Sequence, residues 1–186
     1  ESEKLEKKII EKIIEPTLKG LKEIKNKFRG FLYAGLMIVD GEPFLIEYNV
    51  RMGDPECQTI LPRLKTDFLD IVVATVNEDL KNINLEWFED KSICVVLASK
   101  GYPDEFKNNS EIKGLKEIKL QDNEYIFHAG TKVNNSKIYS NGGRVLNFVI
   151  KSNNLKIGRD KAISLINKLN WQNGYFRKDI GYKIIS

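Results

Sequence analysis

Apolar positions in the first thirty residues recur every three to four places. Leu5, Ile9 and Ile13 are spaced by four, flanked by Ile10, Ile14, Leu18 and Leu21, with Lys and Glu between them. That period predicts an amphipathic helix over residues 3 to about 28, ended by Gly30 and interrupted at Pro16, where a break or fresh helical start is expected. The pattern then changes to extended runs. Residues 31–38 and 43–50 read as two strands joined at Asp40-Gly41, a dipeptide that accepts the positive φ of a tight hairpin turn. A sharp loop, Arg51-Met52-Gly53-Asp54-Pro55-Glu56, follows, in which Asp54 is placed to cap a helix whose first turn holds Pro55 and Glu56. A helix over residues 67–76 is expected next, with Thr66 as its cap.

A polar stretch over residues 82–90 precedes the apolar run Ile93-Cys94-Val95-Val96-Leu97-Ala98, which reads as a buried strand. The expected division is therefore residues 1–90 and 91–186. In the second part Gly101-Tyr102-Pro103 and Asn141-Gly142-Gly143 read as turns, residues 125–131 and 145–150 as strands, and residues 160–169 as a helix. The pattern as a whole predicts an α/β (α+β) chain with antiparallel pairing.

Composition narrows the classes. Of 186 residues, 41% are apolar, enough for a packed core. No apolar run approaches the roughly 18 residues of a membrane span, and the opening Glu1-Ser2-Glu3-Lys4 lacks the core of a secretory signal. The chain also lacks an initiator Met, so it reads as a piece of something longer, and a cytoplasmic location is expected. The net charge of +4 comes from 30 Lys and Arg interspersed with 26 Asp and Glu, a solvated surface rather than a polyanion-binding stripe. Neither nucleic acid nor membrane is expected as a partner. Cys57 and Cys94 with one histidine, His128, cannot make a four-ligand zinc site without carboxylates, and reduced cysteines are expected. His128 lies between Phe127 and Ala129 and reads as a hydrogen-bonded structural residue rather than a general base.

The candidate chemistry lies at residues 44–56. Glu47, Asn49 and Arg51 are two apart on a strand and share one side, while Tyr48 and Val50 face the other. A carboxylate and an amide oxygen one pleat apart can both reach Mg²⁺, which takes a few protein oxygens and fills its shell with phosphate and water. An arginine one step further can hold an anion beside the metal. By spacing alone, a polar strand edge facing solvent is the simpler reading. The loop that follows leads towards a helix start, where free N–H groups favour anions.

Glu47-x-Asn49-x-Arg51 resembles the metal-binding strand of the ATP-grasp enzymes. The longer strings Tyr33-Ala34-Gly35-Leu36-Met37 and residues 47–56 are similar to the phosphoribosylamine–glycine ligase family within them. The similarity continues through residues 58–64 and 95–99, Gly101-Tyr102-Pro103, Phe127-His128-Ala129-Gly130-Thr131, residues 141–146, and residues 175–182. The resemblance implies the C-terminal part of an ATP-grasp domain followed by a small C-terminal α/β domain. It implies a ligase of purine biosynthesis that uses ATP and Mg²⁺ or Mn²⁺ to join glycine to 5-phosphoribosylamine. By the family pattern Glu47 and Asn49 hold the metal, and Arg51 stabilises charge on the acyl phosphate or departing phosphate. Gly53, Asp54 and Glu56 lie at a substrate site, and Arg144 resembles an arginine used on a 5′-phosphate, a surface arginine opening a strand being the plain alternative. Two departures stand beside this. Residues 31–38 carry no further metal-binding carboxylate, and the family's N-terminal and nucleotide-gripping parts would precede residue 1, so the isolated chain is expected to be inactive. The rival readings are another ATP-grasp ligase or carboxylase acting on a different carboxylate, and a non-catalytic binding module.

Overall fold

The opening apolar stripe folds as a helix that changes pitch rather than breaking. In the computed structural model, which describes residues 2–185, α1 (Ser2–Ile9) runs through a π-helical segment (Ile10–Ile14) into α2 (Glu15–Glu23). The Glu15 N–H donates to the carbonyl of Ile10, one residue further back than in an α-helix, just ahead of Pro16. Proline has no N–H and its ring crowds the carbonyl four residues earlier, so widening the turn accommodates it without a break. The helix stops at Glu23, short of the expected residue 28. Asn26 N–H reaches the Leu21 carbonyl at 2.9 Å and Lys25 N–H the Lys22 carbonyl at 3.0 Å, with Lys25 at φ 61°. This is a Schellman ending with lysine in the position glycine usually takes, so Gly30 has no part in it.

Two units emerge along the chain, Glu1–Gly53 with Thr66–Leu85, and Asp54–Lys65 with Glu86–Ser186. In the first, β1 (Tyr33–Val39) and β2 (Glu42–Asn49) form an antiparallel hairpin. Asp40 and Gly41 both have positive φ, 50° and 74°, as a tight two-residue turn with right-handed strand twist requires. Gly35 pairs with Glu47 but Leu36 with Leu45, so Ile46 is an extra, bulged residue. The hairpin is fastened to the helix at both ends. Lys8 and Lys12 both pair with Glu42 and hold its carboxyl down at about 2. The Tyr48 hydroxyl donates to the Ile13 carbonyl at 3.2 Å and lies 2.6 Å from the Thr17 hydroxyl. Helix α4 (Phe68–Val76) is capped by Asp67, whose carboxylate accepts from Leu69 N–H at 2.8 Å. Thr66, expected as the cap, instead donates its hydroxyl to the Asn84 carbonyl at 3.2 Å.

The second unit holds a four-stranded antiparallel sheet in the order β4-β7-β3-β8, with β3 (Lys91–Ser99), β4 (Glu124–His128), β7 (Arg144–Ser152) and β8 (Gly174–Tyr175). The expected strand over 125–131 divides. β4 ends at His128, the chain turns at Ala129-Gly130, and Thr131 opens β5 (Thr131–Asn134), which pairs with β6 (Lys137–Ser140). One sheet face presents Val95, Leu97, Leu146, Phe148 and Ile150 to Ala162, Leu165 and Ile166 of α5 (Leu155–Ile166), and these side chains form the core. The helix starts five residues before the expected 160, because Asn154 caps it, its side chain accepting from Ile157 N–H at 3.1 Å. Gly158 lies inside α5, where a Cβ would come within 3.1 Å of Ile93 Cγ2. Glycine there lets helix and sheet approach closely.

Candidate functional site

The residues singled out in the sequence fall into two sets, one in each unit. In the first unit, Glu47 and Asn49 end β2 on the same side, as the strand period predicts. Asn49 Nδ2 donates to Glu47 Oε1 at 2.9 Å. Both carry hard oxygen donors, and a turn of the amide about its last bond presents Asn49 Oδ1 where the nitrogen now lies. Among the described residues no group of three or more His, Cys, Asp or Glu could hold a metal ion. Two oxygen donors from one strand are the kind of partial protein shell that Mg²⁺ takes. Arg51 is exposed, its Nη1 donating to the Met52 carbonyl at 2.9 Å. Gly53 is buried.

Gly35 bears on this pair, although its role was not legible in the sequence. It lies opposite Glu47, and a Cβ on it would come within 3.1 Å of Glu47 Cγ. Glycine inside a strand costs stability and marks a bulge or a close approach; here it leaves room for the Glu47 side chain. Gly35→Ala in the full-length protein is expected to leave the melting temperature unchanged or slightly raised, because exposed Glu47 can swing aside. Metal binding is expected to weaken about tenfold, as when a group supporting a ligand is altered. Manganese titration by electron paramagnetic resonance, beside a thermal melt, measures both.

In the second unit, Asp54 is held from two directions. Its Oδ1 accepts from Gln58 Nε2 at 2.9 Å, and its Oδ2 pairs with Arg144 Nη2 at 2.9 Å. Arg144 Nη1 also donates to the Asp54 backbone carbonyl at 2.8 Å. Asp54 is thus not the helix cap expected from the sequence. Helix α3 (Glu56–Ile60) begins after Pro55 with no side-chain cap, and at five residues it has little dipole to offer an anion. The Asp54 carboxylate is committed to Gln58 and Arg144 instead. Glu56 opens α3. Arg144 opens β7 opposite Ala98, just beyond a bulge in the β3–β7 ladder.

Cys57 and Cys94 are thiols rather than halves of a disulfide. Burial, with smaller contributions from the Asp54 and Glu56 carboxylates, pushes the Cys94 thiol up to about 12, so it stays protonated and is no nucleophile. Burial and Asp54 also raise Cys57. His128 Nδ1 lies 2.8 Å from the Thr131 hydroxyl, as expected of a structural histidine, although its side chain is exposed.

Comparison with known proteins places both sets in one family. Residues 1–57 match the family model described as phosphoribosylglycinamide synthetase, ATP-grasp (A) domain, and residues 92–183 match phosphoribosylglycinamide synthetase, C domain. A phosphoribosylamine–glycine ligase of Fusobacterium nucleatum is 44% identical over 179 residues, which are 95% of this chain and 42% of that protein. One from Caldanaerobacter subterraneus is 46% identical over 172 residues, 92% of this chain and 40% of the relative. The crystal structure of phosphoribosylamine–glycine ligase from Thermotoga maritima superposes with a TM-score of 0.78 at 35% identity, covering 93% of this chain and 42% of that one. The chain thus spans about two-fifths of the length of these relatives.

Proposed function

The chain belongs to the phosphoribosylglycinamide synthetase family, and on that premise we propose that it is part of an ATP-dependent ligase joining glycine to 5-phosphoribosylamine in purine biosynthesis. The observation that carries this reading is the Glu47–Asn49 pair, two oxygen-bearing side chains within hydrogen-bond distance at the end of β2. In this reading they hold Mg²⁺, or Mn²⁺ in its place. The metal, when bound, neutralises charge on the ATP phosphates.

The reaction has two steps. A glycine carboxylate oxygen attacks the γ-phosphorus, and ADP leaves. The amine of phosphoribosylamine then attacks the acyl carbon, the C–O bond to phosphate breaks, and phosphate departs as the amide forms. Such chemistry depends on positioning and charge neutralisation rather than on a covalent protein intermediate. The partly buried, protonated Cys94 thiol and the hydrogen-bonded His128 are compatible with that. Arg51 stabilises negative charge on the acyl phosphate and the departing phosphate. Gly53, Asp54 and Glu56 lie at the site of phosphoribosylamine or of glycine, and Arg144 serves the 5′-phosphate. The cytoplasmic location expected from the sequence belongs to this reading. The described residues include no helix long and apolar enough to cross a membrane, and the Arabidopsis thaliana relative is named chloroplastic.

The test is phosphate release by the full-length protein with ATP and Mg²⁺. Release is expected only when glycine and phosphoribosylamine are both present. Release supported by formate, bicarbonate or another carboxylate in place of glycine would overturn the substrate assignment.

A further inference from the structure

Arg144 meets Asp54 across 90 residues of sequence, and its guanidinium is only as well placed as the backbone beneath it. That backbone is fixed from three sides within the second unit. The Ser99 hydroxyl donates to the Gly142 carbonyl at 2.8 Å, and the Ser99 N–H donates to the Gly143 carbonyl at 2.7 Å. The Gly130 N–H donates to the Arg144 carbonyl at 3.0 Å, while Asn141 N–H returns to the Gly130 carbonyl at 2.7 Å. On the third side the Tyr102 ring occupies the space a Cβ on Gly143 would need. Tyr102 is held in turn by its N–H bond to the Ser99 carbonyl at 3.0 Å.

Ser99 is fully buried. Strand packing alone would be met by alanine, and a buried hydroxyl is costly unless it is bonded. The purpose of this one is the Gly142 carbonyl. The Arg144–Asp54 pair, with side chains 38% and 43% exposed, adds little to stability by itself, as exposed ion pairs generally do. So much fixed structure beneath a pair that contributes so little to the fold fits a role in aiming the arginine. With two of its five N–H groups engaged by Asp54, Arg144 keeps others for an anion.

We infer that Ser99 and Tyr102 are positioning residues: through Gly142 and Gly143 they hold Arg144 on Asp54 in the orientation that receives the anionic group of the amine-bearing substrate. The inference rests on the role proposed above for Arg144. It explains why three separated segments, at residues 99–102, at Gly130 and at Gly142-Gly143, converge beneath one side chain.

Steady-state kinetics of the full-length protein separate the possibilities. Ser99→Ala is expected to raise KM for phosphoribosylamine about three- to tenfold, the effect of one hydrogen bond, with kcat and KM for glycine and ATP nearly unchanged. Tyr102→Ala, at a residue 38% exposed, is expected to give the same signature with a folded protein by circular dichroism, and Tyr102→Phe to restore the parent value. In the double variant Ser99→Ala/Arg144→Ala, KM is expected to be no higher than in Arg144→Ala alone, because the two act through one contact. A loss in the double variant equal to the product of the single losses would reduce Ser99 to a structural residue and overturn the inference. So would an unchanged KM in both Ser99→Ala and Tyr102→Ala beside a raised KM in Arg144→Ala. If Arg144→Ala itself leaves KM unchanged, the substrate role of Arg144 fails, and the inference fails with it.

Discussion

Glu47→Gln is expected to leave the full-length protein folded while its turnover falls by about two orders of magnitude and its Mg²⁺ requirement rises steeply. The substitution preserves size and hydrogen-bonding capacity, so the Asn49 amide can still bond across the 2.9 Å contact. Only the charge is lost. A divalent ion with two protein donors depends heavily on the one that is anionic, which is why so small a change should have so large an effect. Tyr48→Phe is the internal control. Its hydroxyl faces the other way, onto the Ile13 carbonyl, so its loss should cost about 1 kcal/mol of stability and leave the Mg²⁺ dependence alone. Titration with Mg²⁺ at saturating ATP, with circular dichroism reporting the fold, measures both variants. Equal Mg²⁺ dependence in Glu47→Gln and the parent would remove the metal site.

Arg144→Ala should produce the second large effect, and a more selective one. Removing a charge-assisted contact costs on the order of 1.5–3 kcal/mol, or roughly ten- to a hundredfold, in the use of phosphoribosylamine. Glycine and ATP affinity should be nearly unchanged. Losing the exposed pair with Asp54 should barely alter the melting temperature, since such pairs contribute little. Arg144→Lys should recover only part of the loss, because an ammonium cannot reproduce two guanidinium contacts to one residue. KM for each substrate, measured in turn, checks this. A uniform rise for all three substrates, or a large drop in melting temperature, would make Arg144 a structural residue.

What could be read from the sequence was what depends on near neighbours. Asp40-Gly41 specified its turn by local backbone preference, and the two-residue period put Glu47 and Asn49 on one side. Features settled by distant parts of the chain were hidden. The first helix is closed by Lys25 rather than by a glycine, and α5 runs through Gly158, where a Cβ would press on Ile93 Cγ2 at 3.1 Å. Asp54 looked like a cap because it precedes a helix, but the structure gives its carboxylate to Gln58 and to Arg144, 90 residues on. No local pattern announces such a pairing. The signal that could have exposed it is the density of glycines at 130, 142 and 143, each marking a close approach that a side chain would block.

The central claim is that the carboxylate of one substrate is activated by phosphoryl transfer before the amine attacks, and isotope transfer tests it most directly. With glycine carrying ¹⁸O in both carboxylate oxygens, the full-length protein should release phosphate containing one ¹⁸O per turnover and retain the other in the new amide. Mass spectrometry of the phosphate and the product reads both. Phosphate without label, formed at the rate of amide formation, would contradict the account, because the departing oxygen would not then have come from glycine.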